Sequence, residues 1–191
     1  MDINELIARR VKALREEEDL SLAALAERSG VSRSNISLIE RGESSPTAAV
    51  LDKLASALGV ALASLFDPGD GREASPLSRA ADQPVWTDPV TGYTRRNLSP
   101  ALRSPIQLVE VVFPAGQRVA FDTSTQGIEQ QVWMIEGTME ITAGDERWQL
   151  AAGDCLAMRL ERPVSFQNTS GKPARYLVAL VAQTHPFRKE H

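Results

Sequence analysis

Residues 29–42 read SGVSRSNISLIERG, a stretch with a glycine near each end and a short helical pattern between them. Glycine is common where a helix ends, so the two glycines predict a helix of only a few turns. Ser32 has the side chain of a helix N-cap. Polar residues come first and Ile36 and Ile39 follow. The first turn of this helix is therefore predicted to be polar and free of packing.

The neighbouring segments are also predicted to be helical. An apolar stripe near 3.6-residue spacing marks the first helix, at Leu6, Val11 and Leu14. Ser21 caps the second, LAALAERS. Ser45-Pro46 has the form of a cap plus a first-turn proline and opens a fourth helix, which stops at Gly59. A last turn, ALASLF, completes five helices in residues 1–66.

A tight turn at Gly30 joins the second and third helices. This is the spacing of a helix-turn-helix, whose second helix enters the DNA major groove by its N-terminal turn. An arginine there can be bidentate to guanine, and serine or asparagine can contact base edges or phosphate. The candidate DNA-binding residues are Ser32, Arg33, Ser34, Asn35, Ser37 and Arg41. The alternative is a protein-binding or dimerising bundle with Arg33 as a solvated charge.

Residues 5–66 resemble the phage-repressor-like, Xre-type helix-turn-helix family. The matching positions are Leu14-Arg15, Leu25-Ala26, Gly30-Val31-Ser32, Ile36, Ile39-Glu40-Arg41-Gly42, Pro46 and Leu54-Ala55. The resemblance implies a double-stranded DNA operator as partner and a structural ion pair between Arg15 and Glu40. Phage repressors often have a phosphate-binding glutamine where this chain has Leu22, so that phosphate contact does not carry over.

Composition and charge are those of a soluble globular protein, with 42% hydrophobic and 24% charged residues. No apolar run reaches the ~20 residues of a membrane span. Cys155 is the only cysteine, so an internal disulfide is impossible. These features predict a cytoplasmic protein with no membrane partner. Since the net charge is −4, DNA binding has to use a local basic face.

The pattern changes after the helices. Residues 67–84, DPGDGREASPLSRAADQP, predict a linker because they are rich in proline, glycine and polar residues. Short β-branched or aromatic runs separated by turn signals then predict an all-β sandwich or barrel over residues 85–185, with a tail at residues 186–191. The predicted fold class is multi-domain, with an α domain followed by a β domain.

Residues 114–141 and 150–168 resemble the two motifs of a small cupin β-barrel (a double-stranded β-helix). The matching positions are Gly116, Gly137, Gly153-Asp154, Pro163 and Asn168. Metal-binding cupins supply histidines and a glutamate, ligands that suit Fe, Mn, Ni or Zn. The corresponding positions here are Ser124, Gln130 and Val164. We therefore expect no metal, no cofactor and no metal-dependent enzyme activity, in a layout similar to bacterial regulators with a cupin sensor.

The barrel interior is predicted from strand alternation. If Gln130 points inward, Val132 and Met134 do too, and Val164 shares a face with Phe166. The candidate ligand-pocket residues are Ser124, Gln130, Val132, Met134, Met158, Val164 and Phe166. The alternative is a packed interior without ligand, since side chains often fill small barrels.

Three functions are compatible with these features. The first is a dimeric, sequence-specific regulator that senses a small metabolite. The second is an effector-independent, antitoxin-like repressor whose barrel only dimerises. The third is a cupin enzyme with a tethered helical domain, which the missing metal ligands and the lack of a Ser/His/Asp or Cys/His constellation disfavour.

Overall fold

The computed structural model describes residues 2–67, 75–102, 104–122 and 127–182. Its helical domain contains α1 (Ile3–Glu17), α2 (Leu22–Ser29), α3 (Arg33–Glu40), α4 (Ala48–Ala57) and a 3-10 helix (Leu62–Phe66). The fifth predicted helix is thus a 3-10 turn and not an α-helix. The tighter 3-10 form is used mainly in short segments and as a connector.

The N-caps of α2 and α3 are confirmed. The Ser21 hydroxyl accepts a hydrogen bond from the Ala24 amide at 3.1 Å, and the Ser32 hydroxyl accepts one from the Asn35 amide at 3.3 Å. The predicted cap of α4 at Ser45 is wrong. Thr47 is the cap, because it has the extended backbone that an N-cap needs (φ −76°, ψ 163°) and its side chain accepts from Val50.

The C-terminal domain consists of antiparallel strands in two sheets. In the described residues these are β1 (Val85–Thr87), β2 (Thr94–Asn97), β3 (Ile106–Phe113), β4 (Arg118–Phe121), β5 (Ile128–Glu136), β6 (Thr138–Ala143), β7 (Glu146–Ala151), β8 (Cys155–Arg159), β9 (Val164–Gln167) and β10 (Ala174–Ala182). One sheet has the order β1-β2-β3-β10-β5-β8 and the other β4-β9-β6-β7. Strands β3 to β10 form the two four-stranded halves of a jelly roll, which is the cupin architecture predicted from the sequence.

Strand alternation places the side chains as predicted. Along β5, Ile128, Gln130, Val132 and Met134 are buried, and the residues between them face outward. The turn from β5 to β6 requires glycine. Gly137 has a φ of +79°, and a Cβ there would lie 2.9 Å from the Cα of Ala174.

The helical and β domains share one apolar core. The Phe66 ring, at the end of the 3-10 helix, lies 5.7 Å from the ring of Trp86 in β1. Trp86 packs edge-on against Tyr93 at 5.7 Å, and Tyr93 stacks on Phe113 of β3 at 5.4 Å. An aromatic series therefore runs from the helical domain into the six-stranded sheet, and the helices are packed directly on the barrel.

The predicted linker, residues 67–84, lies between these contacts. Residues 68–74 are outside the described part of the chain, and a 3-10 turn spans Ala80–Asp82. The domain boundaries themselves stay predictions. In the described segments, no helix is both long enough and apolar enough to cross a membrane.

Candidate nucleic-acid interface and barrel cavity

Helix α3 buries its apolar side and exposes its first turn. Ile36 and Ile39 are buried, whereas Arg33 and Ser34 are exposed next to the exposed cap residue Ser32. Asn35 and Ser37 are partly exposed. The polar first turn is therefore accessible, as the helix-turn-helix prediction requires, and the contacts of these side chains with DNA stay a prediction.

The two arginines of this surface differ in their surroundings. Arg33 makes no ion pair with any residue of the described segments. The Arg41 guanidinium donates to both carboxylate oxygens of Glu43 at 2.9 Å and to the Ser37 hydroxyl at 2.6 Å. The hydrogen bonds between Arg41 and Glu43 raise the pKa of Arg41 and lower the pKa of Glu43. Arg33 is thus available to a base, and Arg41 must leave Glu43 to contact phosphate.

Leu38 also lies on this surface, and the sequence analysis missed it. Leu38 is 38% exposed and lies one helical turn after Ser34. An exposed apolar side chain in the major groove can contact a thymine methyl group. Helical periodicity could have indicated that Leu38 is exposed, because it lies about 200° around the helix from the buried Ile36.

The ion pair between Arg15 and Glu40 is present and joins α1 to α3. The Arg15 guanidinium donates to the two Glu40 oxygens at 2.7 and 2.8 Å, and to the carbonyl of Leu20 at 2.9 Å. The two side chains are only 12% and 8% exposed. Hydrogen bonding to Glu40 raises the pKa of Arg15. The ion pair attaches the C-terminal end of α3 to α1, at the end of the helix opposite its exposed first turn.

A cavity of about 70 Å³ lies inside the barrel where it meets the helical domain. Three of the predicted pocket residues line it: Gln130, Val164 and Phe166. The helical domain contributes Asp52 and the segment 61–63. The rest of the wall comes from the two sheets and from residues next to their strands, at Tyr93, Arg95, Val111, Phe113, Val119, Phe121, Leu160, Tyr176, Val178 and Leu180.

Three other predicted pocket residues do not line this cavity. Val132 and Met134 are fully buried in the packed core, because neighbouring side chains fill the interior around them. Met158 borders a separate surface groove together with Gln130, its partner across β5 and β8. Ser124 lies outside the described residues. The inward face predicted for β5 is present, and a ligand role for Gln130, Val164 and Phe166 stays a prediction.

The polar groups of the cavity were missed by the sequence analysis. Arg95 is only 9% exposed, and its Nε has no hydrogen-bond partner among the described residues. The Tyr93 hydroxyl is also buried without one, and Gln130 is buried as well. The Arg95 Cζ lies 5.7 Å from the centroid of the Phe66 ring. Burial raises the pKa of Tyr93 to about 12, so it is a neutral donor at physiological pH.

These residues do not fit a transition-metal ion. The Gln130 amide is a weak ligand, Val164 has no donor atom, and the buried guanidinium of Arg95 repels a cation. No group of three or more His, Cys, Asp or Glu side chains in the described part of the chain could hold a metal ion.

A buried aspartate links the two domains beside this cavity. The Asp88 Oδ1 accepts a hydrogen bond from the Ala48 amide of α4 at 2.9 Å. Its Oδ2 accepts from the amide and hydroxyl of Thr91 at 2.8 and 2.6 Å. The Asn97 side chain also donates to the carbonyl of Phe66 at 3.4 Å. The barrel thus caps a helix of the DNA-binding domain, in addition to the cap by Thr47.

Comparisons with known proteins agree with this architecture. The family model described as HTH_3, helix-turn-helix, matches residues 11–65. The uncharacterized HTH-type transcriptional regulator y4dJ of Sinorhizobium fredii is 39% identical over 70 residues, which are 37% of this chain and 91% of that protein. The chain belongs to this helix-turn-helix family of transcriptional regulators.

Two further comparisons extend over both domains of this helix-turn-helix regulator. The HTH-type transcriptional regulator PuuR of Escherichia coli is 25% identical over 173 residues, which are 90% of this chain and 92% of PuuR. The crystal structure of an HTH_3 family transcriptional regulator from Vibrio cholerae has a TM-score of 0.74 and 24% identity, covering 96% and 97% of the two chains. The same overall fold is therefore present in that solved structure.

Proposed function

We propose that this regulator binds a specific double-stranded DNA operator as a homodimer, and that its barrel senses a small metabolite without a metal. It acts in the cytoplasm and is not an enzyme. The observation that carries the proposal is the cavity wall, which comes from both the barrel and the DNA-binding domain. A molecule bound there contacts both domains at once and can bias the position of α3.

The DNA-binding part of the proposal rests on the exposed turn of α3. Ser32, Arg33 and Ser34 surround a helix N-terminus, where free amide groups favour phosphate and the arginine can reach a guanine edge. Leu38 adds an apolar contact on the same face. The buried pair of Arg15 and Glu40 attaches the C-terminal end of α3 to α1, so these side chains are presented on a helix that is held in place.

Substitution of Arg33 tests base reading. We expect Arg33→Ala to lower operator affinity by roughly 1–3 kcal/mol and to relax the preference at one base position, because a bidentate guanine contact is lost. Arg41→Ala serves as the matched control and should weaken operator and random DNA alike, as expected of a phosphate contact. The operator is obtained by selecting bound sites from random DNA. An equal loss on both DNAs for Arg33→Ala would remove the reading role.

The dimer is proposed to form through the outer face of the six-stranded sheet. Trp133 is 48% exposed there, and Ile106 and Val181, which pair across β3 and β10, are exposed large apolar residues of the same sheet. The ion pair of Arg159 with Glu129 flanks them at 3.1 Å. A homodimer suits the function, because one helix-turn-helix contacts too few base pairs for specificity. Two half-sites, one for each subunit, double the number of base pairs contacted.

Substitution of Trp133 tests this interface. We expect Trp133→Asp to weaken dimerisation by roughly 30-fold or more, the effect of losing a buried aromatic hot spot. Sedimentation at micromolar concentration measures it. The control is Val90→Asp, which alters a 74% exposed apolar residue in the turn between β1 and β2 and should leave the dimer intact. A wild-type monomer at that concentration would contradict the dimer itself.

The metal-free part of the proposal is tested by elemental analysis. Protein prepared without a histidine tag should contain far less than one Fe, Mn, Ni or Zn per chain, since Gln130 and Val164 replace the usual ligands. A chelator should change neither its folding nor its DNA binding. One bound ion per chain, whose removal lowers DNA affinity, would overturn the metal-free sensor and favour the enzyme hypothesis again.

Metabolite sensing is distinguished from an effector-independent repressor by measuring operator affinity with and without a metabolite extract. If a ligand changes the affinity for DNA by some factor, DNA changes the affinity for the ligand by the same factor. A shift of 5-fold or more in operator affinity supports sensing. An affinity that no extract fraction alters supports the repressor whose barrel only dimerises.

A further inference from the structure

We infer that the barrel cavity takes a small monocarboxylate anion, with Arg95 as its anchor. The inference rests on the proposed sensing function and specifies the chemical class of its ligand. It follows from the charge, size and lining of the cavity beside the 3-10 helix of the DNA-binding domain.

The charge of the site comes from Arg95. A guanidinium that is only 9% exposed is costly to bury unless acceptors surround it, and its Nε has none among the described residues. Its contact with the Phe66 ring, 5.7 Å from Cζ to centroid, is a weak substitute. A carboxylate fits the guanidinium with two parallel hydrogen bonds and gives the Nε an acceptor.

The other polar groups of the wall match the same ligand. The Tyr93 hydroxyl is buried with no partner among the described residues, and the Gln130 side chain also lines the cavity. Both offer donors to a carboxylate oxygen. Burial raises the pKa of Tyr93 to about 12, so its hydroxyl keeps the proton it donates. Val164 and Phe166 leave an apolar wall for a short hydrocarbon group.

Size and charge exclude other ligands. A cavity of about 70 Å³ holds roughly five water-sized groups, which is the size of a two- or three-carbon acid. Arg95 excludes a cation. Asp52 lines the helical side of the cavity, and an acidic residue there disfavours an anion with two charges, such as phosphate. The ligand class that remains is a molecule with one negative charge and a short apolar chain.

Titration calorimetry of the full chain with propionate and propionamide tests the inference. The two molecules have the same shape, and only propionate is charged. We expect propionate to bind at least 10-fold more tightly than propionamide, and Arg95→Met to lose this preference. Arg95→Lys, which keeps the charge, should retain it in part. Arg96→Met is the matched control, because Arg96 is the next residue of β2, is more exposed and lies 3.7 Å from Glu110.

Equal binding of the two molecules, no binding of propionate, or unchanged binding by Arg95→Met would overturn the inference. If Arg95→Met does not fold, the comparison of the two ligands on wild-type protein and on Arg95→Lys decides. Propionate binding without any change in operator affinity would support the ligand class and remove the sensing function. A change in operator affinity caused by a metabolite extract, without carboxylate binding, would support sensing and reject this ligand class.

Discussion

Arg15→Ala should lower the free energy of unfolding of the helical domain by about 3–5 kcal/mol, the effect of breaking a buried ion pair. The substitution leaves the Glu40 carboxylate buried without the guanidinium that lies 2.7 and 2.8 Å from its oxygens. It also removes the donor to the Leu20 carbonyl. Since this pair attaches α3 to α1, operator affinity should fall together with stability. Chemical denaturation followed by circular dichroism measures the effect.

Arg41→Ala is the matched control, because the chain holds a second bidentate arginine–glutamate pair in the same domain. Arg41 and Glu43 make hydrogen bonds of similar length, and their side chains are 51% and 55% exposed. An exposed pair contributes little to stability, so Arg41→Ala should leave the melting temperature nearly unchanged. Equal effects of the two substitutions would show that burial of the Arg15 pair is not what makes it stabilising.

Asp88→Ala should destabilise the packing of the two domains. The carboxylate accepts hydrogen bonds from Ala48 and Thr91, and each buried donor left without a partner costs about 1–3 kcal/mol. The loss also removes a negative charge from the N-terminus of α4, where the helix dipole favours one. Hydrogen exchange should show faster exchange of the α4 N-terminal amides and of the β1–β2 turn, and the overall melting temperature should fall.

Thr47→Ala separates the domain contact from helix capping. Thr47 caps α4 from within the helical domain, so its loss should cost about 1 kcal/mol. It should leave exchange in the β1–β2 turn unchanged, because Asp88 and Thr91 keep their hydrogen bonds. If Asp88→Ala changes only α4, as Thr47→Ala does, the aspartate acts as a cap alone and does not join the domains.

Local signals predicted much of the fold. Ser21 and Ser32 were recognised as caps because a hydroxyl at that position bonds to the helix it precedes. Two of the runs that predict the β domain, IQLVEVVF and TMEITA, have the same bounds as β3 and β6, because β-branched and apolar residues are dense there and turn residues border them. Strands β1, β2 and β4 were missed. They have only three or four residues and include polar ones such as Arg95 and Arg118, which makes their patterns weak.

The sequence by itself determined the helix-turn-helix with its polar first turn, the Arg15–Glu40 pair through family resemblance, and the inward face of β5. These features depend on residues close in the chain or on a family pattern. Only the tertiary structure decided that Asp88 caps α4 and that Arg95 and Tyr93 enter a cavity shared with the helical domain. Ala48 and Asp88 are 40 residues apart. Local periodicity cannot predict a contact between residues so far apart in the chain, because the contact follows from how the helices pack on the barrel.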